Sequence, residues 1–196
     1  MIKRIINKVI LFPIFIKVVI LSWILGISYV ISYLRNPNPK ITVRLLKYFG
    51  AKIGSKVTIK RSLFIDNAYE DQNSKGDFSY IKIGNNCYIG DAVYFDLSNK
   101  IIIEDNAVLS GKVSLITHSD CNRSEHLEKI FPRKCEEVII KNGAWVGFGA
   151  TMLAGSILND KSVLAAHSLL KDKTESYSLY AGNPAVKIKP LIHDIS

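Results

Sequence analysis

Large apolar residues recur every six positions along most of this chain, and that spacing restricts the possible fold more than any other feature. In the C-terminal half they fall at Ile140, Val146, Met152, Leu158, Leu164 and Leu170. Two positions before each stands a smaller or β-branched partner: Val138, Ala144, Ala150, Ser156, Ser162 and Ser168. The same register runs through Ile53, Ile59 and Ile65, through Ile83, Ile89 and Phe95, and through Ile103, Leu109 and Leu115. An α-helix needs a spacing near 3.6 and an ordinary half-buried strand a spacing of 2, so a sustained six fits neither. It fits a chain that turns a corner every six residues, three hexads closing one triangular coil. The large aliphatic then points inward, onto its equivalents about 4.8 Å above and below. One coil cannot bury its own inner face, so stability comes from stacking. Glycine follows the key aliphatic at Gly54, Gly84, Gly90 and Gly147, where it is read as accommodating the tight corner. Five coils begin near Ala51, Ile81, Ile101, Val138 and Ser156. The fold expected is an all-β solenoid.

Two segments interrupt the repeat. Residues 66–79 are rich in Asp, Asn, Ser and Gly, and residues 117–137 form a longer charged loop holding two His and two Cys. Insertions in repeat proteins map to loops on one face, often the functional one. The chain therefore divides into residues 1–50, a repeat domain over 51–175 with loops 66–79 and 117–137, and a tail over 176–196.

The first segment differs sharply in composition. Residues 1–65 carry twelve Lys or Arg and no Asp or Glu, so the net charge of +9 belongs to one end. No basic stripe recurs through the repeat, which argues against nucleic acid as a partner. From Val9 to Leu34 the only charge is Lys17, with Trp23, Tyr29 and Tyr33 as interfacial aromatics. Pro13 is expected to kink or end a first apolar helix, and Asn36-Pro-Asn-Pro39 to stop a second. Basic residues flank both sides, Lys3, Arg4 and Lys8 before and Arg35, Lys40, Arg44 and Lys47 after. Both flanks then prefer the cytoplasmic side, which favours monotopic or re-entrant attachment of residues 1–50 to an anionic membrane over a single span. A buried core helix is the competing reading. Cys87, Cys121 and Cys135 are an odd number without CxxC spacing, as expected of a reducing compartment. Together with the loop histidines they match no compact zinc site, and no metal is expected.

The run from Ala144-Trp-Val-Gly-Phe-Gly-Ala-Thr-Met-Leu-Ala-Gly to Ile157, with Ala165-Ala-His-Ser-Leu-Leu-Lys-Asp172 and Tyr180-Ala-Gly-Asn-Pro-Ala-Val-Lys-Ile188, resembles the hexapeptide-repeat O-acetyltransferases. Those acting on galactosides, maltose and surface polysaccharides are the nearest in pattern, over roughly residues 51–190. The resemblance implies a left-handed parallel β-helix, a homotrimer with active sites between subunits, and acetyl-CoA as cosubstrate. It implies a loop histidine as general base, and His118 in Ser114-Leu-Ile-Thr-His-Ser-Asp120 stands at the matching place, with His126 as a fallback. It places Phe148, Gly149, Ala166, Lys171, Lys187 and Lys189 along the CoA slot and Trp145 beside the acceptor. The acceptor Asn of the galactoside enzymes is replaced around Gly90–Asp91, so Asp91 and Asp96 are candidates for a different acceptor.

The chemistry is consistent with that assignment. A sugar hydroxyl is a weak nucleophile, and an imidazole can take its proton as it attacks a thioester carbonyl. A carboxylate on the other ring nitrogen would fix the tautomer, and Asp120 or Glu125 is within reach in sequence. The bland readings are plain: a lone loop histidine is usually solvated, surface lysines usually hold no phosphate, and Trp145 could pack between protomers. The expected function is acetyl transfer to a sugar or lipid-linked polysaccharide precursor at the bacterial inner membrane, with the catalytic domain facing the cytoplasm. The alternatives are N-acylation of an amino sugar or a non-catalytic trimeric scaffold.

Overall fold

The structure, a computed structural model, describes residues 2–121 and 124–191, with side chains from residue 11 onward. The cations Lys3, Arg4 and Lys8 therefore lie outside the described side chains, and residues 192–196 of the expected tail outside the described residues.

The first segment is helical. Helix α1 (Ile2–Leu25) continues past Pro13, and the break comes at Gly26, before α2 (Ile27–Leu34). Pro13 therefore does not end the helix. A helix of this length can absorb one lost hydrogen bond, whereas Gly26 at φ 76°, ψ −177° occupies backbone space that only glycine enters easily. Helix α3 (Pro39–Tyr48) starts where the Pro-rich stretch ends, with Pro39 in its first turn and the Asn38 side chain accepting the Lys40 N–H at 3.1 Å. Leu34, Ile41, Leu45 and Leu46 are fully buried, and α2 and α3 pack on the first strands of the repeat. Among the described residues, no helix is long and apolar enough to cross a membrane.

The repeat builds three sheets in rotation. The first takes 52–53, 81–83, 101–103, 138–140 and 157–158. The second takes 58–59, 88–89, 108–109, 145–146 and 163–164, and the third takes 64–66, 94–96, 114–115, 151–152 and 169–170. Every pairing among these strands is parallel. The chain thus adds one strand to each sheet per turn. Register stacks Ile53, Ile83, Ile103, Ile140 and Leu158 in one internal column, with equivalent columns ending at Leu164 and Leu170, all buried. Strand 178–182 extends the second sheet, and 185–190 folds back antiparallel on it.

The corners differ from the expectation in one respect. Left-handed backbone falls not on the glycines after the key aliphatics but on columns such as Ser62, Ala92, Lys112, Gly149 and His167, at φ 56–66°. Each of the last four donates its N–H to the coil before it: Ala92 to Arg61 O, Lys112 to Asp91 O, Gly149 to Gly111 O and His167 to Phe148 O. Those bonds offset the local strain of left-handed non-glycine residues. Gly84 and Gly147 serve close approach instead. A Cβ on Gly84 would stand 2.7 Å from Asp105 N, and one on Gly147 2.5 Å from Ala166 N.

Candidate active site

The third sheet loses its regular path after Ser114–Leu115. Ile116 still donates to Met152 O, then the chain leaves the coil at Thr117 and enters the 117–137 loop. Backbone N–H groups that leave a ladder need new acceptors when buried, and Thr117 is fully buried. Asp96, at the end of the third-sheet strand one coil earlier, supplies one. Its Oδ2 accepts from Thr117 N at 2.8 Å and His118 N at 3.0 Å. The same oxygen stands 2.6 Å from His118 Nδ1. Its Oδ1 accepts from Asn67 Nδ2 at 2.9 Å, Ser98 N at 3.1 Å and Ser98 Oγ at 3.0 Å.

Asp96 is only 1 % exposed. Burial alone pushes its carboxyl group up. The hydrogen bonds from Asn67, His118 and the Ser98 backbone, with the histidine charge, outweigh that and hold it below the usual carboxylate range. An ionised Asp96 requires a proton on Nδ1, the tautomer that leaves Nε2 as the basic nitrogen. Nε2 makes no hydrogen bond among the described residues, and the side chain is 24 % exposed. A buried anion thus orients a half-open imidazole.

The surrounding loop is braced. His118–Ser119 pairs antiparallel with Lys134–Cys135, setting His118 opposite Cys135. Arg133 bonds Asp71 Oδ2 at 2.7 Å and also bonds Asp120, clamping loop 117–137 to loop 66–79. Asn73 Nδ2 reaches Cys135 Sγ at 3.2 Å across the same seam. The expected orienting carboxylates are therefore elsewhere: Asp120 is engaged by Arg133, and Glu125 lies exposed on α4 (Glu125–Ile130) beside exposed His126. Asp96, expected at the acceptor, is instead enclosed beneath His118. A sequence signal for this did exist. Phe95 pairs with Leu115, so Asp96 stands one coil below the point of departure at Thr117–His118.

The remaining candidates gather elsewhere. Phe148 and Trp145 are exposed. Trp145 Nε1 donates to Ser110 Oγ at 3.0 Å on the second sheet. At the following corner Phe148 meets His167 edge to face with centroids 5.7 Å apart, and Lys112 Nζ lies 5.4 Å from the Phe148 ring centre. A Cβ on Gly149 would collide with the His167 ring at 2.7 Å, so glycine here lets that ring pack over the corner. Ala166 and Lys189 are exposed beyond it, Lys171 lies 3.9 Å from Asp172, and Lys187 is paired with Glu175. Asp91 is a corner residue accepting the Arg61 N–H at 3.0 Å. No hydrogen bond, ion pair or ring contact joins any of these to His118 among the described residues. Phe148 and Gly149 enter the third sheet at one edge and His118 leaves it at the other. Cys87, Cys121 and Cys135 are free thiols.

No family model matches this chain. It is 28 % identical over 156 residues to WcaF of Escherichia coli strain K12, a protein named as a colanic acid biosynthesis acetyltransferase, with 78 % of each chain covered. Among solved structures, it superposes on the hexapeptide-repeat acetyltransferase VCA0836 of Vibrio cholerae with TM-score 0.69 at 17 % identity, covering 83 % of this chain and 86 % of that one. It superposes equally on a galactoside acetyltransferase in complex with coenzyme A, at TM-score 0.69, 20 % identity and 84 % and 78 % coverage.

Proposed function

We propose that this chain, a member of the hexapeptide-repeat acetyltransferase family, moves the acetyl group of acetyl-CoA onto a hydroxyl of a sugar in a bacterial surface-polysaccharide precursor, with His118 as general base. One observation carries the reading: the buried Asp96 carboxylate 2.6 Å from His118 Nδ1, where the chain leaves the central strand of the third sheet. Asp96 keeps the proton on Nδ1 and stabilises the imidazolium that forms when Nε2 takes a second proton. His118 removes the proton of the acceptor hydroxyl as that oxygen attacks the thioester carbonyl. Collapse of the tetrahedral adduct forms the ester, breaks the C–S bond and expels the CoA thiolate, which receives the proton from His118. No covalent enzyme intermediate is needed, and the base is regenerated.

Further support comes from the relatives. WcaF is named for colanic acid biosynthesis, and VCA0836 and the galactoside enzyme were solved with acetyl-CoA and CoA. The Phe148–Gly149 corner, with Lys112 and Ala166 on it and Lys187 and Lys189 on the strand added to the second sheet, suits a pantetheine arm and its phosphates, while Lys171 follows Leu170 at the His118 end of the third sheet. Because this corner and His118 occupy opposite ends of the strands of one sheet, the reaction centre is completed between copies. A ring of three closes such a head-to-tail contact. The winding is taken as left-handed, and Trp145 as a wall of the acceptor space. The protein works at the cytoplasmic face of the inner membrane, where acetyl-CoA is supplied.

The test is acetyl transfer from acetyl-CoA to a panel of hydroxyl and amino sugars. His118→Ala, folded by circular dichroism, is expected to lose about two to four orders of magnitude in kcat. Full activity in that variant overturns the mechanism, and a hydroxylamine-stable amide product overturns the hydroxyl acceptor.

A further inference from the structure

Helix α1 presents two faces of similar apolarity with very different surroundings. Leu11, Val18, Val19 and Ser22 are buried, and Ser22 returns its hydroxyl proton to Val19 O at 2.7 Å. Phe12, Ile16, Ile20, Trp23 and Ile24 are exposed, Trp23 and Ile24 to 75 % and 74 %. At about 100° per residue these sets occupy separate arcs of the helix, and the outer arc carries one charge, Lys17, at its margin. Helix α1 packs on α2 and α3, and these pack on the first coil, so α1 is the outermost layer at that end of the stack. On the inner side of α1, the Arg44 guanidinium sits 5.1 Å from the centre of the Phe15 ring, with exposed Tyr48 edge-on to the same ring.

We propose that this outer arc docks α1 flat on an anionic lipid surface, with Trp23 and Ile24 among the acyl chains and the cations of α1 and α3 among the headgroups. The inference deepens the membrane location given above and rests on it. Contiguous apolar surface of this kind is rare on a soluble protein without a partner. No helix among the described residues is long and apolar enough to cross a membrane, which leaves the plane of the interface for α1. The charge pattern selects the occupant. Twelve cations and no acidic residue precede Asp66, so the surface complements anionic headgroups. A second copy packed arc to arc would instead bring two cationic ends together with no carboxylate from either segment to offset them.

The experiment is sedimentation of the full-length chain with phosphatidylcholine vesicles, alone or mixed with phosphatidylglycerol. Trp23 fluorescence is read in a Trp145→Phe background, where it is the single tryptophan. The expected result is a blue shift of Trp23, its quenching by brominated lipid, and binding at least about tenfold weaker without phosphatidylglycerol or in high salt. Ile20→Glu combined with Ile24→Glu should weaken binding by at least about tenfold while helix content and solution mass stay unchanged. Trp23→Ser, at a side chain too exposed to matter for folding, should weaken it in the same direction. Equal binding by wild type and all variants overturns this arc while leaving membrane attachment standing. Failure of the wild type to bind either vesicle overturns both. A fall in solution mass in the double variant, with no vesicle binding by the wild type, assigns the arc to a second copy instead. Acetyl transfer to a soluble acceptor by the wild-type chain, with Trp145 intact, tests the catalytic reading separately.

Discussion

Asp96 has two tasks at the point where the chain leaves the third sheet for the 117–137 loop. It replaces the strand partner that Thr117 and His118 lose, and it aligns the His118 ring. Asp96→Asn keeps the volume and one acceptor oxygen but no longer imposes the Nδ1–H tautomer, since the amide can present an N–H to the ring. We expect kcat to fall by about two orders of magnitude or more with little change in KM for acetyl-CoA, whose proposed slot lies at the opposite corner of the sheet. A merely structural role would move both together. The pH dependence of stability gives a second readout. The Asp96 carboxyl is held below its ordinary value of 3.8, so the unfolded chain binds this proton first as the solution is acidified. Its contribution is present in full above that value and lost as pH falls towards the lowered folded value. Acid unfolding curves should therefore be shallower for Asp96→Asn than for wild type, and identical slopes would remove the ionised pair from the account. His118 was singled out in the sequence by the family resemblance, at the mouth of an insertion, and its role as base is the proposal made above. Its partner was overlooked although the six-residue register held the signal, because twenty-two residues separate the two and only the stacking of coils makes them neighbours. Asp120 and Glu125, near in sequence, were drawn elsewhere by Arg133 and by solvent.

The strand of two or three residues followed by a corner is the element of this fold, and most of it could be read in advance. Each position of the six-residue pattern lands in an internal column because burial leaves the aliphatics one place to go. The glycines were read less well. Their spacing marks corners, but whether a glycine serves backbone conformation or close approach depends on the neighbouring coil, which a linear pattern does not contain. Gly147 tests the distinction. Its added Cβ would meet Ala166 N at 2.5 Å and Ala165 C at 2.7 Å, both backbone atoms fixed in the next turn. Gly147→Ala should cost about 1–3 kcal/mol by forcing two coils apart. In thermal unfolding that corresponds to a Tm lower by about 3–10 °C. An unchanged Tm would mean that the corner yields freely. Helix α1 carries the same lesson. Proline propensity alone placed the break at Pro13, whereas the packing of α1 on α2 and α3 carried the helix on to Gly26.

On the scale of the whole molecule, the proposed function divides the reaction centre between chains. His118 with Asp96 leaves the third sheet at one edge, while Phe148, Gly149 and His167 enter it at the other. A rotation that repeats edge against edge gives every copy the same environment, and a ring of three makes three complete centres from six halves. Mixing two damaged chains separates this from a site within one chain. His118→Ala removes the base, and Phe148→Glu places a charge in the CoA cleft at an exposed position the fold can tolerate. Each homogeneous ring should be inactive. Rings reassembled from an equal mixture contain edges where an intact His118 meets an intact Phe148, and random assembly puts both at about one site in four. Recovery of about a quarter of wild-type activity, with sedimentation giving the mass of three chains, is the expected outcome. Centres contained within single chains would leave every one of them carrying one lesion, and the mixture would stay as inactive as its components.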